Sequence, residues 1–318
     1  MSHEIEIHDK VVLGSNKPAW HGLGQVFPGL LSALRVFAEG VGHRDILEVP
    51  VVLNGLTLEG QKGLVGVTAS GAQVPLSVVG DNYGVFKSST MYKLLDEVYE
   101  GRAVVETAGT LRNGKREWCL AKAGDWDVTS GDKVLSYDLW LNRHDGSGCF
   151  ELHRTNVRVV CSNTWKLAVG SGRARVFGVR HTVNIEAGVR EAIGLLQRVN
   201  DAEATERAKA RTMAMTPMNA RQANSTFRTL LGVSEGEKMS TRTSNQLDEL
   251  MALFCNGTGN AGRSHWDAFN AVTEFIDHSR SNRVSNGRSQ QEVRFESVLM
   301  GSGDTMKARA FDLLAPSI

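Results

Sequence analysis

Ala103-Val-Val-Glu-Thr-Ala-Gly-Thr-Leu111 and Arg116-Glu-Trp-Cys-Leu-Ala-Lys-Ala123 are two β-prone runs joined by Arg112-Asn113-Gly114-Lys115. Asn-Gly between such runs is the strongest short hairpin signal, because both residues accept the positive φ that a tight turn between twisted strands demands. The tip is therefore expected at Asn113-Gly114. A second hairpin follows, from Leu135–Arg143 through His144-Asp145-Gly146-Ser147-Gly148 to Cys149–Val160, and a further strand is expected over Arg175–His181. Consecutive hairpins require an antiparallel sheet, and one face of it must be covered. Two helices are placed to cover it. Met91, Leu94, Leu95 and Val98 fall at helical spacing over Thr90–Tyr99, with Ser88 or Ser89 as cap. Ile185, Val189, Ile193, Leu196 and Val199 mark a long amphipathic helix that starts after Asn184 and reaches about Arg211.

Working outward, residues 1–89 read as a strand-rich N-terminal region. A short helix is expected over Leu30–Glu39, with Leu30, Leu31, Leu34 and Phe37 on one face and Gly40 as its stop. Strands are expected at Leu47–Leu53, Gly63–Thr68 and Ser77–Val79. Residues 90–211 form the helix–meander–helix core. Residues 212–318 read as a helical region packed on it: a break at Pro217, helices over Ala220–Leu231 and Ser240–Asn256, and a helix after Ser264 with Trp266, Phe269, Val272 and Ile276 on one face. A last helical pair is expected around Gly301-Ser-Gly303. The fold class is α+β: a central antiparallel β-meander flanked by helices, with an additional C-terminal helical layer.

The composition is that of a globular chain: 318 residues, 41% hydrophobic, 22% charged, net charge +1. The charge is unevenly spread. Residues 1–100 carry seven bases against eleven acids, whereas residues 141–190 carry eight bases against three acids. A basic stretch inside a near-neutral protein points to an anionic partner. The polar start lacks the pattern of a signal peptide, no run is apolar enough for a membrane helix, and Cys119, Cys149, Cys161 and Cys255 form no CxxC pair. A cytoplasmic location with reduced thiols is expected.

Motifs for defined chemistries are missing from the sequence. Gly170-Ser-Gly172 and Gly301-Ser-Gly303 fit neither GxGxxG nor GxxxxGK[ST], and read as turns. No HExxH or Cys–His spacing calls for zinc. His144 and Asp145, or Asp277 and His278, are neighbours that point to different sides and do not chelate together. Glu106 and Glu117, on the two arms of the first hairpin, read as solvated cross-strand residues rather than a two-metal site. No cofactor, metal or catalytic residue is expected. What remains is the basic series. Arg112, Lys115 and Arg116 crowd the first hairpin tip, Arg154 and Arg158 share a strand face, and Lys166, Arg173 and Arg175 continue the set, with Trp165 and Phe177 interleaved. Basic groups that track phosphates beside aromatics that stack on bases suit single-stranded nucleic acid. A core with aromatics inside and arginines outside would leave the same pattern.

A family resemblance is carried by Met1-Ser-His-Glu-Ile-Glu6, Pro18-Ala-Trp-His-Gly-Leu-Gly24, Val79-Gly-Asp-Asn-Tyr83, Glu106-Thr-Ala-Gly-Thr-Leu111 and Asn142-Arg-His-Asp-Gly-Ser147. It continues through Val157-Arg-Val-Val-Cys-Ser-Asn-Thr164, Arg180-His-Thr182, the block from Trp266 to His278, and Gly301-Ser-Gly303 with Lys307. These blocks resemble the phage/plasmid-like protein family, the domain of unknown function 932. The resemblance implies a protein of bacteriophages and plasmids acting in the bacterial cytoplasm, and assigns no activity. More distantly, the element order from Thr90 to Arg211 is similar to the core of Rad-fifty-two-type single-strand annealing proteins. That resemblance implies a homo-oligomer, such as a ring, with DNA in a basic groove.

The resulting expectation is a single-stranded DNA-binding protein that promotes strand annealing in phage or plasmid recombination, forms a homo-oligomer and hydrolyses no nucleotide. Two other readings stay open: an interaction protein aimed at a host factor, and a metal-dependent nuclease.

Overall fold

The computed structural model describes residues 11–13, 25–158, 163–166, 176–194, 197–234, 238–280, 290, 293–294, 297–298 and 301–315. The chain order is β1 (Val11–Leu13), β2 (Gln25–Val26), α1 (Ala33–Ala38), β3 (Asp45–Leu53), β4 (Leu56–Val67), β5 (Gln73–Gly80), α2 (Ser88–Val98), β6 (Val105–Leu111), β7 (Arg116–Asp127), β8 (Lys133–Arg143), β9 (Phe150–Arg158), β10 (Asn163–Lys166) and β11 (Phe177–Val179). The helices α3 (Ile185–Ile193), α4 (Gln197–Met215), α5 (Ala220–Leu230), α6 (Thr241–Asn256), α7 (His265–Glu274) and α8 (Ser302–Leu314) follow, with α7 running into a π-helical turn over Phe275–Ser279. No helix among the described residues is long and apolar enough to cross a membrane.

The α+β class holds. The larger sheet has the order β10-β9-β8-β7-β6-β1-β2, with β11 also paired to β9. Strands β6 to β9 are the meander read from the sequence: their connections span 112–115, 128–132 and 144–149, too short for a parallel crossover. The first hairpin pairs Leu111 with Arg116. Its Asn113 and Gly114 have φ of 55° and 78°, and the Lys115 N–H donates to the Arg112 carbonyl at 3.3 Å. Arg112 is itself at φ 55°, which the turn rule did not foresee.

The smaller sheet has the order β3-β4-β5. Here β4 is far longer than the strand expected at Gly63–Thr68. It begins straight after Asn54-Gly55, with Leu53 opposite Leu56 and φ of 49° and 80° at the two turn residues. This is a second Asn-Gly hairpin, legible by the same rule and missed.

By contacts the chain divides into two compact units that interleave in sequence. The first comprises 1–123, 137–154 and 175–198; the second comprises 124–136, 155–174 and 199–318. These divisions do not fall at 89/90 or 211/212. In the first unit α2 buries Met91, Tyr92, Leu94 and Leu95 in a core with Phe86, Trp140, Phe150 and Phe177. Phe86 meets Phe150 edge-on at 4.8 Å between centroids, and Trp140 meets Phe177 edge-on at 6.0 Å. In the second unit, Trp266 and Phe269 of α7 stack tilted at 5.5 Å, and Phe311 of α8 meets Phe269 edge-on at 5.2 Å. A capping box between Ser264 and Asp267 starts α7.

Three local expectations are corrected. Helix α1 is shorter than Leu30–Glu39 and buries Ala33 and Val36, while Leu34 is exposed: Leu31 is held in an extended bridge to Val105, and Ser32 caps the helix. Ser88 does not cap α2. Its hydroxyl accepts the His43 N–H at 2.9 Å, and Lys87 is the cap residue. The single helix expected from Ile185 to Arg211 is two helices, α3 closing at Gly194, a residue that costs about 1 kcal/mol inside a helix.

Candidate nucleic-acid interface

The first hairpin tip brings together Arg112, Lys115 and Arg116, all half-buried. The Lys115 backbone and the Arg116 side chain are tied into their surroundings. The Lys115 carbonyl accepts the His144 N–H at 2.7 Å, which holds the two meander turns of this unit side by side. Arg116 Nε donates to Asp145 Oδ2 at 3.0 Å, and its Nη2 donates to the Ser147 hydroxyl at 3.1 Å. The Asp145 carboxyl is pushed up by burial but pulled further down by Ser147 and Arg116, so it ends below its usual range.

Beneath the tip lies a buried polar network. Glu117 and His144 are fully buried, and His144 Nε2 lies 3.1 Å from Glu117 Oε2. Asn142 Nδ2 donates to the Phe86 carbonyl at 2.8 Å and lies 3.4 Å from Glu117 Oε2. His43 Nε2 lies 2.8 Å from the Gly114 carbonyl, and the His43 ring meets the His144 ring edge-on at 5.7 Å between centroids. Burial pushes the Glu117 carboxyl up, yet the hydrogen bond and charge of His144, with His43 and Ser88 nearby, outweigh it and hold Glu117 low. Burial holds His43 below its usual value against the pull of Glu117. So Glu117 is not a solvated cross-strand residue, and it stands opposite Thr110 rather than facing Glu106. His144 and Asp145, adjacent in sequence, serve different partners. Among the described residues no group of three His, Cys, Asp or Glu side chains is placed to hold a metal ion.

Two members of the basic and aromatic set are redirected. Arg154 is 7% exposed, and its Nε donates to Asp138 Oδ1 at 2.8 Å. The other oxygen of Asp138 accepts the Tyr99 hydroxyl at 3.0 Å, and Tyr99 in turn accepts the Trp140 indole N–H at 2.8 Å. The Arg154 side chain therefore turns inward and neutralises a buried carboxylate instead of meeting phosphate. Phe177 is 7% exposed and packs on Trp140 and Phe150, so it is core rather than a stacking platform. Arg143 likewise pairs with Glu151 at 3.0 Å, with His153 Nε2 3.2 Å from the same carboxylate.

Trp165 and Lys166 lie on β10, opposite Asn156 and Thr155. Arg158 ends β9 opposite Asn163. Arg173 and Arg175 lie outside the described residues, as does Cys161. The second unit holds a further buried set that no pattern in the sequence announces. The Ser136 hydroxyl accepts the Trp126 indole N–H at 3.2 Å and sits 2.8 Å from Asn156 Oδ1 and 2.6 Å from Glu203 Oε1, while Arg207 Nη2 donates to that same Glu203 oxygen at 2.8 Å. One turn further along α4, burial pushes the Glu206 carboxyl up to about 7 despite Lys209 beside it. Asp277 and Lys307, each 2% exposed, form a buried ion pair between the π-helical turn and α8.

The model of the domain of unknown function DUF932 matches residues 75–299. The chain belongs to the DUF932 family. No curated protein and no solved structure matches it. The DUF932 segment contains the meander, Glu117, Asn142 and His144, whereas His43, β3 and β4 precede it.

Proposed function

We propose that this DUF932 protein binds single-stranded DNA and promotes annealing of complementary strands as a homo-oligomer, in phage or plasmid recombination and without nucleotide hydrolysis. The observation that carries the reading is the order α2, meander β6–β9, α3, with Arg112 and Lys115 at the meander's first turn. The order is an analogy with annealing cores, and fold alone does not dictate function. The turn supplies the specific support: positive φ at Arg112, Asn113 and Gly114 sets two basic side chains on one short loop. Arg116 and Arg154, paired with Asp145 and Asp138, drop out as phosphate ligands, and Phe177 drops out as a stacking residue. Lys166, Arg158, Arg173, Arg175 and Trp165 remain in the proposed set.

Fluorescence anisotropy with a labelled single strand across a salt series tests this reading, with and without magnesium. Affinity should fall with salt at a log–log slope of roughly −0.7 per phosphate neutralised. Replacing Arg112 and Lys115 together by Gln should flatten the slope and weaken binding to all sequences alike, since phosphate contacts position a strand without reading it. Absent affinity at low salt, or a slope unchanged in the double variant, would sink it.

A further inference from the structure

The end of the β3–β4 hairpin is bare. Strand β5 reaches along β4 only as far as Gln61, which pairs with Gly80, so Leu56–Glu59 has no strand on its outer edge among the described residues. Val52, Leu53 and Leu56 are 55%, 60% and 74% exposed. From Val49 to Leu58 the sequence holds no charged residue. An unpaired aliphatic strand edge is a template for another strand, and proteins ordinarily blunt it with charge, proline or cover. The two edges of this hairpin differ in that respect. On β3, Pro50 lacks the N–H a ladder needs. On β4 nothing blocks the outer edge over Leu56–Leu58.

We propose that this β4 edge is an interface between two copies of the chain, paired antiparallel about a two-fold axis through Thr57. A two-fold contact sets a segment against itself, so any charge would meet its like; an uncharged segment suits that contact better than it suits a charged partner. In a hairpin with a two-residue loop, Leu53 and Leu56 form the hydrogen-bonded pair, so Thr57 turns its N–H and C=O outward to the new strand. The axis then sets Leu56 opposite the partner's Leu58, on the face that Leu53 shares with Leu56. Glu59 falls opposite the partner's Gly55.

The test is the solution mass of the full chain by light scattering at micromolar concentration, with two variants. The wild-type chain should weigh two copies or a multiple of two. Leu53→Lys with Leu56→Lys should halve that mass while leaving the circular dichroism spectrum and the thermal midpoint in place, since both positions are exposed. Thr57→Cys in a Cys255→Ser background should crosslink into a covalent dimer with a short bismaleimide, and the Cys255→Ser chain alone should not. A monomeric wild-type chain, or a doubly charged variant that keeps its oligomer, overturns the proposal, as does an uncrosslinked Thr57→Cys chain. None of these outcomes depends on DNA binding.

Discussion

Asn54-Gly55 and Asn113-Gly114 are the same turn written twice in the first unit, and they end in opposite surroundings. Around Gly55 there is open space: a methyl group added there would meet nothing within 4 Å. Around Gly114 it would meet the His43 ring, at 2.6 Å from Cε1 and 2.8 Å from Nε2. One tip is an aliphatic end standing in solvent. The other is the lid of a buried network of His43, Glu117, Asn142 and His144. Backbone chemistry fixes where each turn occurs, but the side chains underneath decide what the turn is worth to the fold.

The largest effect should come from removing the charge under the buried tip. Glu117→Ala leaves His144 without its carboxylate and empties a fully buried position; a loss of about 3–5 kcal/mol in urea denaturation is expected. A loss below about 1 kcal/mol would break the contrast between the two tips, because an exposed position would cost no more. Next comes alanine at each glycine in turn. Gly55→Ala should cost only the backbone strain of positive φ, about 1–2 kcal/mol. Gly114→Ala adds the displacement of His43 and should cost about 2–5 kcal/mol. The difference between the two variants isolates the packing under Gly114, and equal midpoint shifts would show that His43 yields freely.

The two tips also explain what a single sequence discloses. The Asn113-Gly114 hairpin was legible because both flanks are continuously β-prone. Asn54-Gly55 obeys the same rule, but Glu59-Gly60-Gln61-Lys62 interrupts the apolar pattern, and the strand was begun seven residues late. Arg154 and Arg158 were legible as residues sharing one strand face. Which way the Arg154 side chain points is a tertiary fact, set by Asp138, sixteen positions back on β8. His43 gave no signal at all: its partners come from the turn before β7, from the His144 ring just after β8 and from the Ser88 hydroxyl at the start of α2, joined only by folding. In the helical C-terminal half, caps at Ser240 and Ser264 and the break at Pro217 were readable because they depend on local chemistry. The buried Glu203 and Glu206 were not, because α4 looks like a solvated polar helix.

A last expected effect concerns pH, and it separates the two units. In the first unit His181 is lowered by burial from 6.5 to about 4, stacked on Tyr83 with Nδ1 3.1 Å from the Gly84 carbonyl. A group lowered on folding contributes stability above its unfolded value and loses it as pH falls, here from about 6.5 toward about 4. In the second unit Glu206 is raised from 4.5 to about 7, so its contribution is present below 4.5 and lost as pH rises through 7. His181→Gln should therefore flatten the acid limb of a stability–pH profile, and Glu206→Gln the limb between 4.5 and 7, each by up to about 3 kcal/mol. Matching slopes in both variants would remove the distinction.

The interleaving of the two units has a kinetic consequence. The chain leaves and re-enters each of them within β7, β8 and β9, and the first unit is not complete in sequence until residue 198. The bond between Trp266 and Asp132 closes a separation of 134 residues. A growing polypeptide therefore cannot finish either unit before residue 198 is made, unlike a chain of consecutive domains during synthesis. Loops must close over long distances before the contacts that reward them can form, which slows folding and leaves strand edges uncovered meanwhile. Refolding yield should then depend steeply on protein concentration, and release of a chain shortened at residue 174, before the first unit is complete, should give material that aggregates.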